Sequence, residues 1–322
     1  MAAVTRARPL VSIITPTLNQ ARFLEATIES IHAQGYPAIE HIVVDGGSTD
    51  GTLDILARER DRGRLQFTSG PDAGMYDAIN KGLAVATGEI VAYLNSDDAW
   101  FPWTLSVVVP VFEADPRVDL VYGDGMKVAP ETGVQRLRLF PRFDRESLAN
   151  FESLMQPAVF WRRSLTDRIG GFDGSMRYSG DLDYWLRAAE AGARIRHVRE
   201  VIAIERIHAE RLSLAQRERI REEDAPMRAR HAGTHGGEDG RARAVRRNDR
   251  WQRWLITTFI YAWRLRRFSG PWPRFLRHGQ LFVAEQRALK GARHNDYDLL
   301  RSIVKSQLAM DILAGSPPTM PT

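Results

Sequence analysis

The sequence predicts an α/β protein built on a doubly wound sheet, and three observations support this prediction. Short apolar runs alternate with stretches whose apolar residues recur at helical spacing. A Gly-rich turn, Asp45 to Gly51, follows the second apolar run and precedes a helical pattern. The apolar run from Glu89 to Leu94 stops at the polar sequence Asn95 to Asp98. Ligands of open α/β sheets bind beyond the carboxyl ends of the strands, so we expect a binding site there.

The predicted elements follow one another along the chain. Strands are predicted at Leu10–Thr15, Ile39–Val44, Arg64–Ser69, Glu89–Leu94, Asp119–Gly123 and Ile202–Ile207. Helices are predicted over residues 22–33, around Leu53 and Leu56, around Met75, Ile79 and Leu83, over residues 100–112 and over residues 179–192. Residues 130–150 read as a polar, irregular loop, and the pair Arg162 and Arg163 as solvated surface.

Composition limits the class of protein. The 322 residues suit one large domain or two smaller ones. The absence of cysteine excludes disulfides, thiolate zinc sites and cysteine nucleophiles. No secretory signal is evident near the start, and no run approaches the roughly 20 apolar residues of a membrane span. We therefore expect a soluble or peripheral protein, in the cytoplasm or on the inner face of the plasma membrane.

The carboxyl-terminal third has its own composition. Residues 233–250 form a predicted Gly- and Arg-rich linker, and residues 251–322 a basic, aromatic helical segment with a disordered tail. Residues 241–294 carry fourteen Arg and Lys against two acids, interleaved with tryptophans. This pattern fits an anionic membrane surface, but the apolar face could equally pack on the preceding domain, residues 1–232. Nucleic-acid binding is the least favoured alternative.

The turn from Asn95 to Asp98 has two interpretations. Adjacent carboxylates repel each other unless a cation or a donor-rich ligand lies between them, and oxygen ligands suit Mg²⁺ or Mn²⁺. The turn could instead be a plain helix start, in which an Asp caps the helix. Residues 179–192 raise a similar choice. Asp181 lies at a predicted helix start and can serve as a cap, while Asp183 lies four residues before Arg187 and can form an ion pair.

Six sequence motifs together resemble those of a known family. They occur in the order PTLNQ (16–20), VVDGGSTDGT (43–52), PDAGMYDAINKG (71–82), ATGEIVAYLNSDD (86–98), GGFD (170–173) and GDLDYWLR (180–187). In this order and spacing they closely resemble the family 2 glycosyltransferases, over roughly Leu10 to Ser213. The resemblance implies the GT-A fold, in which a Rossmann-like nucleotide-binding half holds a central mixed sheet flanked by helices.

The resemblance also implies a donor site. Asp45 would hydrogen-bond the nucleotide base, and Thr15 and Pro16 would lie along it. Further donor-binding positions carried over from the motifs are Asn19, Gly46, Asp72, Asn80, Asn95 and Asp97. The DxD motif of the family is replaced here by Asn95-Ser96-Asp97, followed by Asp98. Asp97 is then the expected metal ligand, with Asp98 either a second ligand or a supporting group, and the loss of one charge leaves metal dependence open.

The remaining implied residues concern catalysis. The family places its catalytic carboxylate six residues before the Arg of a WLR-like sequence, a position occupied here by Asp181, with Asp183 as the fallback. Gly180 stands where the family commonly has Glu. The sequence RIH at 206–208 resembles the RxH of the family, which makes His208 a candidate metal or diphosphate ligand, although a structural histidine is equally compatible.

The implied activity is an inverting glycosyl transfer from a nucleoside diphosphate sugar to a sugar or lipid-linked acceptor. The QxxRW sequence of processive synthases is absent, so addition of a single sugar is expected. Two other classes remain open. A nucleotidyltransferase would need a basic residue in the first Gly-rich turn, which residues 45–51 lack, and a non-catalytic nucleotide-sugar binding module would have no use for Asp181 as a base.

Overall fold

The structure is a computed structural model, and it describes residues 8–132, 134–140, 142–150, 154–209, 217–232 and 312–313. The linker predicted at 233–250 lies outside the described residues. So does the basic segment predicted at 251–322, apart from Ile312 and Leu313.

The described chain alternates strands and helices, as the sequence predicts. The strands are β1 (Val11–Thr17), β2 (Ile39–Asp45), β3 (Gln66–Ser69), β4 (Ile90–Tyr93), β5 (Ala99–Trp100), β6 (Leu120–Ala129), β7 (Val134–Arg138), β8 (Val159–Arg162) and β9 (Ile195–Arg206). The helices are α1 (Ala21–His32), α2 (Thr52–Asp61), α3 (Met75–Val85), α4 (Thr104–Ala114), α5 (Arg145–Asn150), α6 (Arg163–Ile169), α7 (Gly180–Glu190) and α8 (Arg217–Ala232). A single 3₁₀ turn, Gln156–Ala158, precedes β8.

One mixed sheet organises these elements, with strand order β3-β2-β1-β4-β8-β6-β9-β5 and with β7 paired to β6. The first four strands in this order run parallel. Strand β8 is antiparallel to both β4 and β6, whereas β6 and β9 are parallel. The carboxyl ends of β1 to β4 therefore meet at one edge of the sheet, where the polar turns predicted to bind ligand follow them.

The core lies along β4. Its four residues are at most 1% exposed, which confirms the prediction of a buried central strand. An aromatic cluster packs beside it: the Phe172 ring stacks on Tyr184 and on Tyr76, and it meets Tyr93 edge-on at 5.5 Å. This cluster joins β4 to α3 and α7, so it fixes where the first turn of α7 stands relative to the sheet edge.

Three local predictions differ from the structure. Residues 130–150 are not simply irregular, since they contain β7 and α5. Trp100 does not begin a helix; with Ala99 it forms β5, which pairs with β9. Arg162 is not solvated surface, because its guanidinium is buried and donates to the Val118 and Phe112 carbonyls at 2.9 and 2.7 Å. The Arg162 ion pair with Glu89 closes this cluster.

Within the described part of the chain, no helix is both long enough and apolar enough to cross a membrane.

Strand β2 carries a buried histidine that makes stability depend on pH. Burial, with a smaller contribution from the charge of His32, lowers the pKa of His41 from 6.5 to about 3. Below pH 6.5 the unfolded chain binds a proton that the folded chain excludes, so this contribution to stability is complete above 6.5 and is lost as the pH falls towards 3. From pH 7 to pH 5 we expect it to cost about 2 kcal/mol.

Urea unfolding at both pH values checks this. The variant His41→Gln cannot titrate but can still hydrogen-bond Thr15, so it should lose less stability than the wild type over the same interval. An equal loss in both proteins would assign the pH dependence to other groups.

Candidate active site

The turn after β2 is built around Asp45. This side chain is buried, and its Oδ2 accepts hydrogen bonds from the Gly47 and Ser48 amides, both at 3.0 Å, and from Ser69 Oγ at 2.6 Å. Its Oδ1 accepts from Ser48 Oγ. The predicted nucleotide-base residue thus fixes the Gly-rich turn against the end of β3, which gives the sheet edge a defined shape.

The turn after β1 lies against this Gly-rich turn. Asn19 has a left-handed backbone, with φ of 52°, and its Oδ1 accepts from the Thr49 amide at 2.8 Å while its own amide donates to Ser48 Oγ at 2.7 Å. Thr15 and Pro16 are buried, and the Thr15 hydroxyl is 3.0 Å from His41 Nε2. The structure therefore brings these three predicted donor residues to the edge, with Thr15 and Pro16 beneath the turn.

Asp72 and Gly46 meet at the same edge. A Cβ on Gly46 would lie 2.9 Å from Asp72 Oδ2, so a side chain there would displace this carboxylate. Asp72 Oδ1 accepts from the Gly74 amide at 2.9 Å. Leu18, which we did not single out from the sequence, is 50% exposed beside Gly46. The sequence signal was a leucine within a turn between Pro16 and Asn19, since turns of this kind are usually polar.

Asn80 occupies a different position from the other predicted donor residues. Its Nδ2 donates to the Phe172 carbonyl at 2.8 Å, and its Oδ1 accepts from the Phe172 amide at 2.9 Å. The Asn80 carboxamide thus joins the turn at 170–173 to α3 by two hydrogen bonds. This is a structural contact, and the donor-binding role of Asn80 stays a prediction.

The turn after β4 is anchored from two sides. Thr27 Oγ1, on α1, donates to the Ser96 and Asp98 carbonyls at 2.9 and 2.7 Å. The Asp98 side chain is fully buried, and its Oδ1 accepts from the Arg206 amide at 2.9 Å. Of the two roles predicted for Asp98, this placement favours support beneath the turn over direct contact with a ligand.

Asp97 is the carboxylate that remains partly exposed, at 17% for its side chain. Its Oδ2 lies 3.0 Å from His208 Nε2, and its carbonyl accepts from Arg206 Nε at 2.8 Å. His208 is itself buried and lies against the Phe23 ring at 4.6 Å. The structure thus joins two residues, 111 positions apart, that the sequence predicted separately as metal ligands.

Arg206 also belongs to this site, although the RxH motif predicted a role only for His208. Its guanidinium is buried, lies 4.6 Å over the Phe23 ring, and donates to the Leu313 carbonyl at 3.1 and 3.2 Å. Burial lowers the pKa of Arg206, and the charges of Asp98 and Asp97 oppose that change. A cavity of about 220 Å³ opens here, lined by Arg22, Phe23, Pro130, Glu131, Arg206, His208 and Leu313.

Two residues near the end of the chain pack beside this cavity. Ile312 and Leu313 are buried in a small apolar cluster with Ala99, Phe101, Met126, Val128, Val201 and Ile204. At least this part of the carboxyl-terminal segment therefore contacts the sheet. The choice between membrane binding and packing was predicted for residues 241–294, which lie outside the described residues, so it stays a prediction.

The side chains around Asp97 fit a divalent cation that is bound partly by the protein and partly by a second ligand. No group of three or more His, Asp or Glu side chains among the described residues is placed to bind a metal alone. Asp97 offers a partly exposed carboxylate, and Asn95 Oδ1 is buried with no hydrogen-bond partner in the described chain. Mg²⁺ is commonly bound by one or two carboxylates together with substrate phosphates, so these residues suit a metal shared with a diphosphate.

Asp181 lies in the first turn of α7. Its Oδ1 accepts from the Leu182 amide at 2.8 Å and from the Tyr76 hydroxyl at the long distance of 3.4 Å. The same hydroxyl donates to the Tyr178 carbonyl at 3.1 Å. Burial, followed by the charge of Asp181, raises the pKa of Tyr76 well above 10, so its hydroxyl stays protonated as a donor. Sequence reasoning placed no role on Tyr76.

The packing of Tyr76 explains the glycine that precedes Asp181. A Cβ on Gly180 would lie 2.8 Å from Cε2 of the Tyr76 ring, so a larger residue would collide with a ring that the core holds in place. The Glu expected from the resemblance cannot fit at this position unless Tyr76 moves.

Asp183, the fallback base, has a different environment. It is buried, its Oδ2 accepts from Arg187 Nε at 2.7 Å, and its Oδ1 lies 3.3 Å from His231 Nε2. Arg187 also donates to the Ile169 and Gly171 carbonyls, each at 2.8 Å. The predicted ion pair between Asp183 and Arg187 is confirmed. Through this pair Asp183 has a structural role.

Two carboxylates from distant parts of the chain act on the end of β4. Burial raises the pKa of Tyr93 well above 10, and the charges of Asp181 and Asp98 add to the effect. The start of α7 and the turn after β4 therefore both lie within electrostatic reach of the Tyr93 ring. Such convergence of charged groups at a sheet edge is typical of active sites.

Comparisons with known proteins agree with this architecture. The model of the family "Glycosyl transferase family 2" matches residues 12–172. A "PGL/p-HBAD biosynthesis glycosyltransferase" from Mycobacterium bovis is 35% identical over 202 residues, which are 61% of this chain and 77% of the relative.

Two solved structures share the fold. The first, S. aureus TarS in complex with UDP-GlcNAc, is 20% identical with a TM-score of 0.58, covering 73% of this chain and 69% of that one. The second, a mannosyltransferase from Pyrobaculum calidifontis in complex with GDP-Man and Mn²⁺, is 22% identical with a TM-score of 0.59. The match to the mannosyltransferase covers 96% of this chain and 86% of that one. At these identities the likeness concerns the fold alone.

Proposed function

We infer that this chain, which belongs to glycosyl transferase family 2, moves a sugar from a nucleoside diphosphate donor to an acceptor hydroxyl with inversion of configuration. The enzyme class and the GT-A fold are confirmed. The proposal concerns the mechanism, the site residues and the substrates. The observation that supports it most is that the turn bearing Asp97 follows β4 directly, while the ring contacts of Tyr76, Phe172 and Tyr93 join Asp181 to the end of the same strand.

Asp181 is the proposed general base. Its Oδ1 is oriented by the Leu182 amide and by the Tyr76 hydroxyl. Once the acceptor binds, the carboxylate takes the proton from the attacking hydroxyl, and the oxygen attacks the anomeric carbon opposite the leaving diphosphate. In-line displacement of this kind inverts the configuration at that carbon. The buried ion pair of Asp183 with Arg187 makes Asp183 the weaker candidate.

The donor is proposed to lie along the edge formed by the turns after β1, β2 and β3, with its base towards Asp45 and its diphosphate towards Asp97. Asp97, with Asn95 and His208 beside it, would hold a Mg²⁺ or Mn²⁺ ion. When bound, this ion would neutralise negative charge that develops on the departing diphosphate. Arg206 keeps the Asp97 turn in place through its bond to the Asp97 carbonyl.

For the acceptor we propose a sugar or a lipid-linked molecule used in cell-surface polysaccharide or glycolipid assembly. The printed name of the mycobacterial relative, a biosynthesis glycosyltransferase for PGL/p-HBAD, supports this class of product. The chain would then act on the cytoplasmic side of the membrane, and no nucleic-acid partner is proposed.

A donor screen tests the function. Purified protein with Mn²⁺, a panel of nucleoside diphosphate sugars and a sugar acceptor should release nucleoside diphosphate, and NMR of the glycosylated acceptor should show the inverted anomer. Release of pyrophosphate from a sugar phosphate and a nucleoside triphosphate would support a nucleotidyltransferase instead. Tight donor binding without turnover on any acceptor would support a binding module.

Residues 241–294 are predicted to tether the enzyme to anionic membrane. Each Lys or Arg near such a surface contributes about 1 kcal/mol, and salt weakens the attraction. We expect the full chain to co-sediment with anionic vesicles at low salt and to be released at high salt. Because Leu313 contacts the sheet, the matched control is a full-length variant with Arg264, Arg266 and Arg267 changed to Gln. Equal partitioning of the two proteins would contradict the tether.

A further inference from the structure

Helix α8 places one carboxylate against the segment that leads into α7. Glu223 Oε1 accepts hydrogen bonds from the Tyr178 and Ser179 amides at 2.9 and 2.7 Å, and its Oε2 accepts from the Arg177 amide at 2.8 Å. Three successive backbone amides thus share one side chain that lies some 45 residues away in sequence. Hydrogen bonds to an ionised acceptor are the stronger kind, so this contact fixes the segment firmly.

Helix α8 is itself held to the domain. Met227 is fully buried in the main core, and Arg228 Nη1 donates to the Ala149 carbonyl at 2.9 Å. His231 lies 3.3 Å from Asp183 Oδ1 and 3.0 Å from Glu190 Oε1, which are both on α7. Glu223 therefore acts from a helix whose own position is set by the core, which a positioning group requires.

The segment held by Glu223 controls the surroundings of Asp181. Ser179 immediately precedes α7, and its side chain makes no capping hydrogen bond to the helix. The neighbouring Tyr178 carbonyl accepts from the Tyr76 hydroxyl, the group that also reaches Asp181 Oδ1. Because the core holds the Tyr76 ring in place, a shift of residues 177–179 would move the Tyr178 carbonyl and the first turn of α7 relative to the Tyr76 hydroxyl. The charge of Glu223 also contributes to the raised pKa of Tyr76, after burial and Asp181.

We propose that Glu223 is a positioning residue that holds the segment 177–179, and through it the Asp181 carboxylate and the Tyr76 hydroxyl, in the orientation needed to receive the acceptor proton. This inference rests on the proposed role of Asp181. It adds a residue outside the six motifs, and outside the residues 12–172 that the family model matches.

The test compares Glu223→Gln with Glu222→Gln, which changes an exposed neighbour on the same helix. The carboxamide of Gln has an NH₂ group in place of one carboxylate oxygen of Glu223. This group donates and does not accept, so the side chain cannot accept hydrogen bonds from all three backbone amides. We expect kcat to fall about 10- to 100-fold, because a displacement of about 1 Å can cost about 10²-fold. Donor affinity by calorimetry should stay within about twofold, since the α8 contacts described above reach residue 149, residues 177–179 and α7.

Hydrogen exchange gives a readout that does not depend on activity. In Glu223→Gln the amides of residues 177–179 should exchange faster, with little change elsewhere, and Glu223→Asp should recover part of both kcat and protection. Unchanged exchange, or faster exchange with an unchanged kcat, would overturn the proposal. So would a lower melting temperature with normal turnover per folded molecule. Asp181→Asn is assayed in parallel. Full activity of that variant would contradict the proposed role of Asp181, independently of the result for Glu223.

Discussion

Replacing Asp181 with asparagine is expected to abolish most transfer while leaving donor binding intact. The amide keeps the shape of the side chain and can still accept from the Leu182 amide, but it cannot take a proton. Loss of a general base typically lowers turnover by about 10²–10⁴-fold. Steady-state kinetics should therefore show a lower kcat, and calorimetry should show an unchanged affinity for the donor nucleotide.

Asp183→Asn is the matched comparison, because it makes the same change two residues along the same helix. Its carboxylate pairs with Arg187, so the variant should lose stability and keep turnover per folded molecule. The opposite pattern, an active Asp181→Asn with an inactive Asp183→Asn, would reverse our assignment of the base.

Asp97→Ala is expected to remove transfer and to weaken metal-dependent donor binding strongly. Asp97 is the partly exposed carboxylate of its turn, whereas Asp98 is buried beneath it. Removing the carboxylate also leaves the buried His208 Nε2 without the partner observed at 3.0 Å. Titration of a donor nucleotide with and without Mn²⁺ measures the effect directly.

Asp77→Ala provides the control, since Asp77 accepts from the Ala73 amide at 3.0 Å and pairs with Lys81 at 2.9 Å, and it is not one of the predicted site residues. It should bind donor and Mn²⁺ like the wild type. Retention of Mn²⁺-dependent donor affinity in Asp97→Ala would remove Asp97 from the proposed metal site.

The sheet edge could be predicted because its signals are local. Apolar runs ending in Gly-rich or acidic turns mark the carboxyl ends of β1 to β4, and those turns do meet through contacts such as the one between Asn19 and Thr49. The i, i+4 spacing of Asp183 and Arg187 likewise fixes their ion pair without reference to the rest of the chain.

What could not be predicted depends on pairing between distant segments. Strand β8 inserts between β4 and β6, and this burial converts Arg162 from an apparent surface residue into a buried donor. Asp98 looks equivalent to Asp97 in sequence, and only the arrival of Arg206 on β9 distinguishes them. Tyr76 reads as one more apolar position of α3 until α7 brings Tyr178 and Asp181 to its hydroxyl.

The contact between Arg206 and Leu313 has a practical consequence for handling the protein. The Arg206 guanidinium donates to the Leu313 carbonyl, and its Nε donates to the Asp97 carbonyl. A backbone group late in the chain and the turn after β4 are therefore bound to the same cation. Deleting residues 312–313 would remove an acceptor from a buried charge, at a cost of about 1–3 kcal/mol. Chains that end before residue 312, shortened to aid crystallisation, should therefore be less stable, and a purification tag is better attached at the amino-terminal side.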